Sequence, residues 1–348
     1  YSINTKHASP YNIALSWALS VYDFKTQFNQ FNSVNFPSQT TETPELSSSA
    51  VERPKLLIDS EILSKLDIEA AGIFCGRDLI NYPAEYLTPF ELESAVIALS
   101  QDPNLIRDDK SAQVHVHSFI GDDLIQPGQS YYPQVHAVGR AVDRSNSLPR
   151  VVWMEYNMDK TELPLVVLIG KGVCFDTGGL DLKPATGMRN MKKDMGGAAC
   201  VISTAHMILL SRLGVRMKVG ICCVENAVQG NAFRPGDVLI SRNGISTEIE
   251  NTDAEGRLIL ADALVAACEN EDEMPDLVID FATLTGAQRV ALGSEIGGVF
   301  CTNSKLMQEL EKASRISGDY LWPLPLYPGY ESSLKSSIAD TKNCAATG

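Results

Sequence analysis

Asn251-Thr252-Asp253-Ala254-Glu255-Gly256-Arg257 sets two carboxylates and a guanidinium at alternate positions. In extended backbone, residues i, i+2 and i+4 point to one face. In a helix, Asp253 and Glu255 would point roughly 200° apart on the helical wheel. The segment therefore reads as an extended turn that aims Asp253, Glu255 and Arg257 into one space. Adjacent acids repel unless something positive lies between them, and a metal ion is the economical answer.

A second acidic cluster lies upstream, in Gly170-Lys171-Gly172-Val173-Cys174-Phe175-Asp176-Thr177-Gly178-Gly179, then Lys183, then Lys193-Asp194-Met195-Gly196-Gly197. It follows Leu165–Ile169, a continuous apolar run that reads as a buried parallel strand. Its glycines are expected to turn the backbone sharply, with Lys171 and Asp176 at the strand's carboxyl end, where ligands of open α/β sheets collect. Asp194 is expected near the N-cap of a helix. Asp176, Asp194, Asp253 and Glu255 carry four negative charges, which two divalent cations about 3.5–4 Å apart would neutralise. Lys171 could join such a site only as the neutral amine. A nitrogen ligand favours zinc, manganese or cobalt over magnesium or calcium. Without metal, the same seven residues would form a buried ion network, which is a costly device for stability alone.

At these residues the chain resembles the leucyl aminopeptidase family, the cytosolic di-zinc, homohexameric exopeptidases. The motifs N-T-D-A-E-G-R, G-K-G-x-x-[FY]-D-[ST]-G-G-x-x-[IL]-K and D-M-G-G-A-A are all filled, in order and spacing, and the resemblance runs from about residue 64 to the end. It implies one metal on Lys171, Asp176, Asp194 and Glu255, and another on Asp176, Asp253 and Glu255. It implies a bridging water as nucleophile, Lys183 as electrophile and Arg257 as holder of a bicarbonate ion. It also implies short peptide substrates with a free N-terminus. At Asp280–Ala287 it implies that the Leu284 carbonyl and the Gly286 amide hold the substrate backbone; the plainer reading is a tight strand-to-loop turn. Met191 either walls the substrate side-chain pocket, as the matching position does in the family, or fills core.

Helical patterns at 62–82, 88 onward, 198–213 and 255–267 alternate with strands at 114–117, 165–169, 215–224 and 277–281, and a hairpin is expected at 238–249 around Arg242-Asn243-Gly244. The expected fold is α/β: a mixed, mostly parallel sheet sandwiched by helices, with a small N-terminal domain remnant. Residues 1–62 read as that remnant plus linker, with an apolar, partly helical stretch at 11–24 and a polar stretch at 28–54. Residues 63–348 read as the metallopeptidase catalytic domain, and the resemblance implies further helices and strands of that domain beyond Gly348.

The net charge of −14 argues against nucleic-acid and anionic-membrane surfaces. No apolar run reaches the ~20 residues that span a bilayer. Eight cysteines without C-x-x-C spacing suit a reducing, cytoplasmic compartment better than a disulfide framework. No H-E-x-x-H occurs, and His115 and His117 read as a solvated strand face. Lys192 and Lys193 read as paired or solvated charges, Arg234–Asp237 as a structural pair, and Glu225-Asn226 as possible support for the metal ligands. Two other classes stay open: another two-metal hydrolase, such as a phosphoesterase, and a non-catalytic structural or nucleic-acid-binding relative.

Overall fold

The computed structural model describes residues 10–20, 22, 60–102, 114–128 and 130–345. They fall into two compact units, Tyr1–Phe74 and Cys75–Gly348. The polar stretch 28–54 lies outside the described residues. In the first unit, helix α1 (Pro10–Ser20) lies in the stretch expected to be helical, and the Tyr22 ring meets Phe74 at 5.3 Å. Helix α2 (Ser60–Asn81) stops just before Pro83, whose ring and missing N–H cannot continue a helix. Helix α3 (Pro89–Gln101) begins after Thr88, whose N–H donates to the Glu91 carboxylate at 3.0 Å. This back-reach from the first turn supports the expected helix start.

The second unit continues through β1 (Val114–Ile120), α4 (Pro133–Gly139), β2 (Arg150–Tyr156), β3 (Leu165–Asp176), α5 (Ala185–Met188), α6 (Gly196–Leu210), β4 (Arg216–Asn226), β5 (Val238–Ile240), β6 (Ser246–Glu248), α7 (Gly256–Cys268), β7 (Leu277–Phe281), α8 (Gly286–Leu292), β8 (Gly297–Val299), α9 (Ser304–Ser317), β9 (Leu321–Pro323) and β10 (Thr341–Lys342). The central sheet has the order β1-β2-β4-β3-β7. Strands β4, β3 and β7 pair in parallel, whereas β2 is antiparallel to both β1 and β4. One reversed strand among five makes the sheet mixed and mostly parallel, as expected.

Alternate residues of each strand feed the two faces. On one face, Leu168, Met217, Val219 and Ile221 pack with Val96 of α3 and Val201, Ile202 and Ala205 of α6. On the other, Val167, Ile169, Cys222 and Val224 pack with Val135 of α4 and Leu258 and Ile259 of α7. Helices thus cover both sides of the sheet. Strand β2, buried on both faces, has no counterpart among the strands expected from the sequence.

Strand β3 corrects the reading of its glycines. It runs on through Gly170-Lys171-Gly172 to Asp176, paired with β4 along its length, so the backbone does not turn at Gly170. A Cβ at Gly170 would lie 2.6 Å from Ala198 Cα, so this glycine admits the close approach of α6. The expected hairpin is present: β5 pairs antiparallel with β6, Gly244 takes φ +86° in the connection, and β10 adds in parallel to β6. Among the described residues no helix is long and apolar enough to cross a membrane.

Candidate metal centre

Lys171 lies inside β3 and Asp176 is its last residue. Beyond it, Gly178 and Gly179 take φ +87° and +66°, a region that other residues rarely enter. This turn lets the Gly178 N–H donate back to Asp176 Oδ1 at 2.9 Å, and the Asn226 side-chain amide donates to the same oxygen at 2.9 Å. Asp176 is thereby held at the carboxyl end of the parallel strands β3 and β4.

The acidic loop is not the extended turn expected of it. Asn251 Oδ1 accepts from the Asp253 N–H at 2.7 Å, turning the chain. Glu255 then adopts helical angles (φ −79°, ψ −34°) as the residue preceding α7. A turn followed by a helix start, rather than strand alternation, brings the two acids together. Oxygens of Asp176, Asp253 and Glu255 all lie within 4.8 Å of one another. Arg257 sits half-buried in the first turn of α7. No ion pair among the described residues joins it to the four acids, and its Nε has no hydrogen-bond partner.

Two ammonium groups stand among the carboxylates. Lys171 Nζ lies 2.8 Å from Asp194 Oδ2 and 2.9 Å from Glu255 Oε1, and donates to the Thr283 carbonyl at 3.1 Å. Lys183 Nζ lies 2.8 Å from Asp176 Oδ2 and also pairs with Asp253. Burial pulls the Lys171 ammonium down, but Glu255 and Asp194 outweigh it and hold the group above its ordinary value. Lys183 is likewise held high by Asp176 and Asp253 against its own burial. Burial drives Glu255 up to about 7 and also raises Asp253, with the neighbouring lysines pulling each back. Four acids face these two ammoniums and, at the more exposed edge, Lys193 at 3.6 Å from Asp194, so negative charge is crowded into a largely buried space. Asp194 Oδ2, Asp253 Oδ1 and Glu255 Oε1 are buried, and each faces a lysine ammonium: Lys171 for Asp194 and Glu255, Lys183 for Asp253. Grouped carboxylate oxygens suit divalent cations, and Lys171 would add the nitrogen that favours zinc or manganese once it gives up the proton its acid neighbours hold on it.

The model of the cytosol aminopeptidase family's catalytic domain matches residues 74–348. This chain belongs to the cytosol aminopeptidase family. It is 36% identical over 342 residues to a "Probable cytosol aminopeptidase" of Rhodococcus jostii (strain RHA1), covering 95% of this chain and 61% of that protein. The cytosol aminopeptidase of Coxiella burnetii has a similar structure, with TM-score 0.80 at 38% identity over 96% of this chain and 65% of that one. So does the bottromycin maturation enzyme BotP in complex with Mn, with TM-score 0.77, 31% identity and the same coverage. The chain spans about three fifths of the length of the curated relatives it matches.

In this family member, three supporting residues around the acids escaped the sequence reading. Thr283, just past β7, donates its hydroxyl to Asp194 Oδ1 at 2.8 Å. Thr252, fully buried, donates to the Gly178 carbonyl at 2.6 Å, and its N–H donates to Asp181 at 2.7 Å, tying the two acidic loops together. Asn343 binds the loop that carries Asp253. None of these carries a metal-type signal of its own; contact across 71 to 93 residues of sequence identifies them. Of the pair Glu225-Asn226, only Asn226 reaches the cluster, and Glu225 accepts from Ser147 at 2.8 Å instead. Strand alternation sends neighbours to opposite faces.

Met191 opens the 3-10 turn Met191–Met195 that delivers Asp194, and it is half-buried. Leu284 is 41% exposed and Gly286 opens α8. Both follow Thr283, which touches Lys171 and Asp194. Lys192 donates to the Asn81 carbonyl at 2.6 Å, and Lys193 is ion-paired, 3.6 Å from Asp194. Arg234 and Asp237 pair at 3.3 Å, His115 and His117 lie exposed on β1, and all eight cysteines are free.

Proposed function

We propose that this protein is a two-metal aminopeptidase that removes the N-terminal residue from short peptides. The observation that carries the reading is the convergence of buried carboxylate oxygens of Asp176, Asp253 and Glu255, with Asp194 and Lys171 beside them, in a chain of the cytosol aminopeptidase family. Lys171, Asp176, Asp194 and Glu255 would hold one cation, and Asp176, Asp253 and Glu255 the other. When bound, such a pair supplies Lewis acidity and a water acidified toward hydroxide. Zinc fits this donor set, as do manganese and cobalt, and a neighbouring structure carries Mn.

The chain's own groups do the rest. Lys183 competes with cations for Asp176 and Asp253; released from them, its ammonium can donate to the oxyanion that develops on the scissile carbonyl. Arg257 offers a planar guanidinium, its Nε without a hydrogen-bond partner, suited to a small planar anion such as bicarbonate. The Leu284 carbonyl and Gly286 N–H follow Thr283, which touches Lys171 and Asp194; from there they would hold the peptide's main chain. Met191 would border its first side chain. A homohexamer in the cytoplasm is part of the same proposal; the family resemblance supports it, as do relatives named cytosol aminopeptidase.

A phosphoesterase would use the same cations, with Lys183 and Arg257 clamping phosphate. The deciding experiment compares leucyl-p-nitroanilide with p-nitrophenyl phosphate, before and after chelation and after restoring zinc or manganese. Metal-dependent release from the anilide alone is expected. Release from the phosphate ester alone overturns the proposal.

A further inference from the structure

We infer that Asn343 is a positioning residue for the metal loop: its carboxamide fixes the backbone on both sides of Asp253 and so sets cation binding on that side of the centre. The inference rests on the two-metal reading above. Asn343 lies immediately after β10 and is 3% exposed. Its Oδ1 accepts from the N–H groups of Glu250 at 2.8 Å and Asn251 at 3.3 Å. Its Nδ2 donates to the carbonyls of Asn251 at 2.6 Å and Ala254 at 3.3 Å. Its own N–H continues the β10–β6 ladder to Glu248 at 3.0 Å.

The loop 249–255 belongs to no helix or strand, yet Ile249, Thr252 and Glu255 are buried within it. Buried backbone polar groups need partners, and one carboxamide offers both a donor and an acceptor. Asn343 uses both on residues 250, 251 and 254, which flank Asp253. Its neighbours do something different. Lys342 pairs with the Glu250 side chain at 2.6 Å, and Asp340 accepts from the Ser246 N–H at 2.8 Å. The Asp340 contact ties the segment before β10 to β6, and Lys342 reaches only the Glu250 side chain at the start of the loop, whereas Asn343 holds the loop's backbone around Asp253. On the far side of the centre, Asp194 is secured independently by Thr283. Loss of Asn343 should therefore affect one cation more than the other.

The test is a titration of metal-stripped protein with Mn2+, following free Mn2+ by EPR, on wild type, Asn343→Ala, Asn343→Asp and Lys342→Ala, with thermal unfolding in parallel. Asn343→Asp keeps the acceptor but turns the donor against two carbonyls, and it serves should Asn343→Ala fail to fold. The expected result is one site weakened about 10-fold or more in the Asn343 variants, the range of ligand-supporting residues, and the other, which shares Glu255 but also has Asp194 and Lys171, weakened less. Lys342→Ala should bind both ions as wild type does, whatever it loses in melting temperature. Both ions bound with wild-type affinity by a folded Asn343 variant would overturn the inference and leave the two-metal reading standing. A wild-type protein that binds no Mn2+, Zn2+ or Co2+ would overturn that reading itself, and the inference with it.

Discussion

Gly197 is the second residue of α6, and a Cβ built there would lie 2.0 Å from the Phe281 carbonyl oxygen and 2.7 Å from its carbon. Both are backbone atoms of β7, so no side chain can swing aside. Gly197→Ala must open the α6–β7 junction by about 1 Å to reach even the 3.0 Å below which real Cβ contacts are essentially never seen. The same junction holds Asp194, three residues before Gly197, to Thr283, two residues after Phe281, at 2.8 Å. An opening of that size stretches this bond to about 3.8 Å, beyond hydrogen-bond range. Overpacking of this kind costs ~1–3 kcal/mol. Intrinsic helix propensity pulls the other way, since alanine is favoured over glycine by up to ~1 kcal/mol. The sign of the effect is therefore diagnostic. Urea unfolding should place Gly197→Ala below wild type by about 1–3 kcal/mol, with cation affinity down about 10-fold because Asp194 is released. Gly187→Ala in α5, where the nearest atom to a new Cβ is 4.0 Å away, is the control and should be neutral or stabilised. A Gly197→Ala protein as stable as the control, with unaltered metal binding, would refute the close-approach argument.

Three further outcomes are expected. Thr283→Val keeps the shape but removes a hydrogen bond to a carboxylate, costing ~1.5–3 kcal/mol in thermal or urea unfolding and weakening the cation on the Asp194 side; an unchanged metal titration would count against the role given to Thr283. Arg257→Ala should lower turnover on leucyl-p-nitroanilide by about 100-fold or more, the scale of a lost general acid–base function, and added bicarbonate should restore part of it; failure of every anion to do so would dismiss Arg257 as an anion holder. Burial raises Asp262 from an ordinary 3.8 to about 6, partly offset by the N–H groups of Arg242 and Gln134, each at 2.8 Å. The folded protein thus keeps a proton that the unfolded chain has lost, and stability falls as pH rises from about 4 through about 6. The loss is about 2–3 kcal/mol, read as the difference between wild type and Asp262→Asn in urea unfolding at pH 4 and pH 7; parallel curves would contradict it.

The acids and lysines of the centre were legible because their chemistry is carried by residue type and order. Lys171, Asp176, Lys183, Asp194, Asp253 and Glu255 all came together. Their local geometry was less legible. The spacing of Asp253 and Glu255 suggested extended backbone, yet the Asx turn at Asn251 and the start of α7 produce the same convergence. Gly170 suggested a turn, yet it serves a close contact between α6 and a continuous strand. One residue type has two uses, and only its neighbours in space tell them apart.

The sequence by itself determined the family, which acids and lysines belong to its motifs, and the alternation of strands and helices that makes an α/β unit, since these depend on residue type and on periods of two and 3.6 along the chain. The tertiary structure alone decided which polar residues support the ligands. Thr283 holds Asp194 across 89 residues, Thr252 binds Gly178 across 74, and Asn343 grips Asn251 across 92. A hydrogen bond needs its atoms within about 3 Å, and no local pattern encodes a proximity that exists only once the sheet has brought its strand ends together.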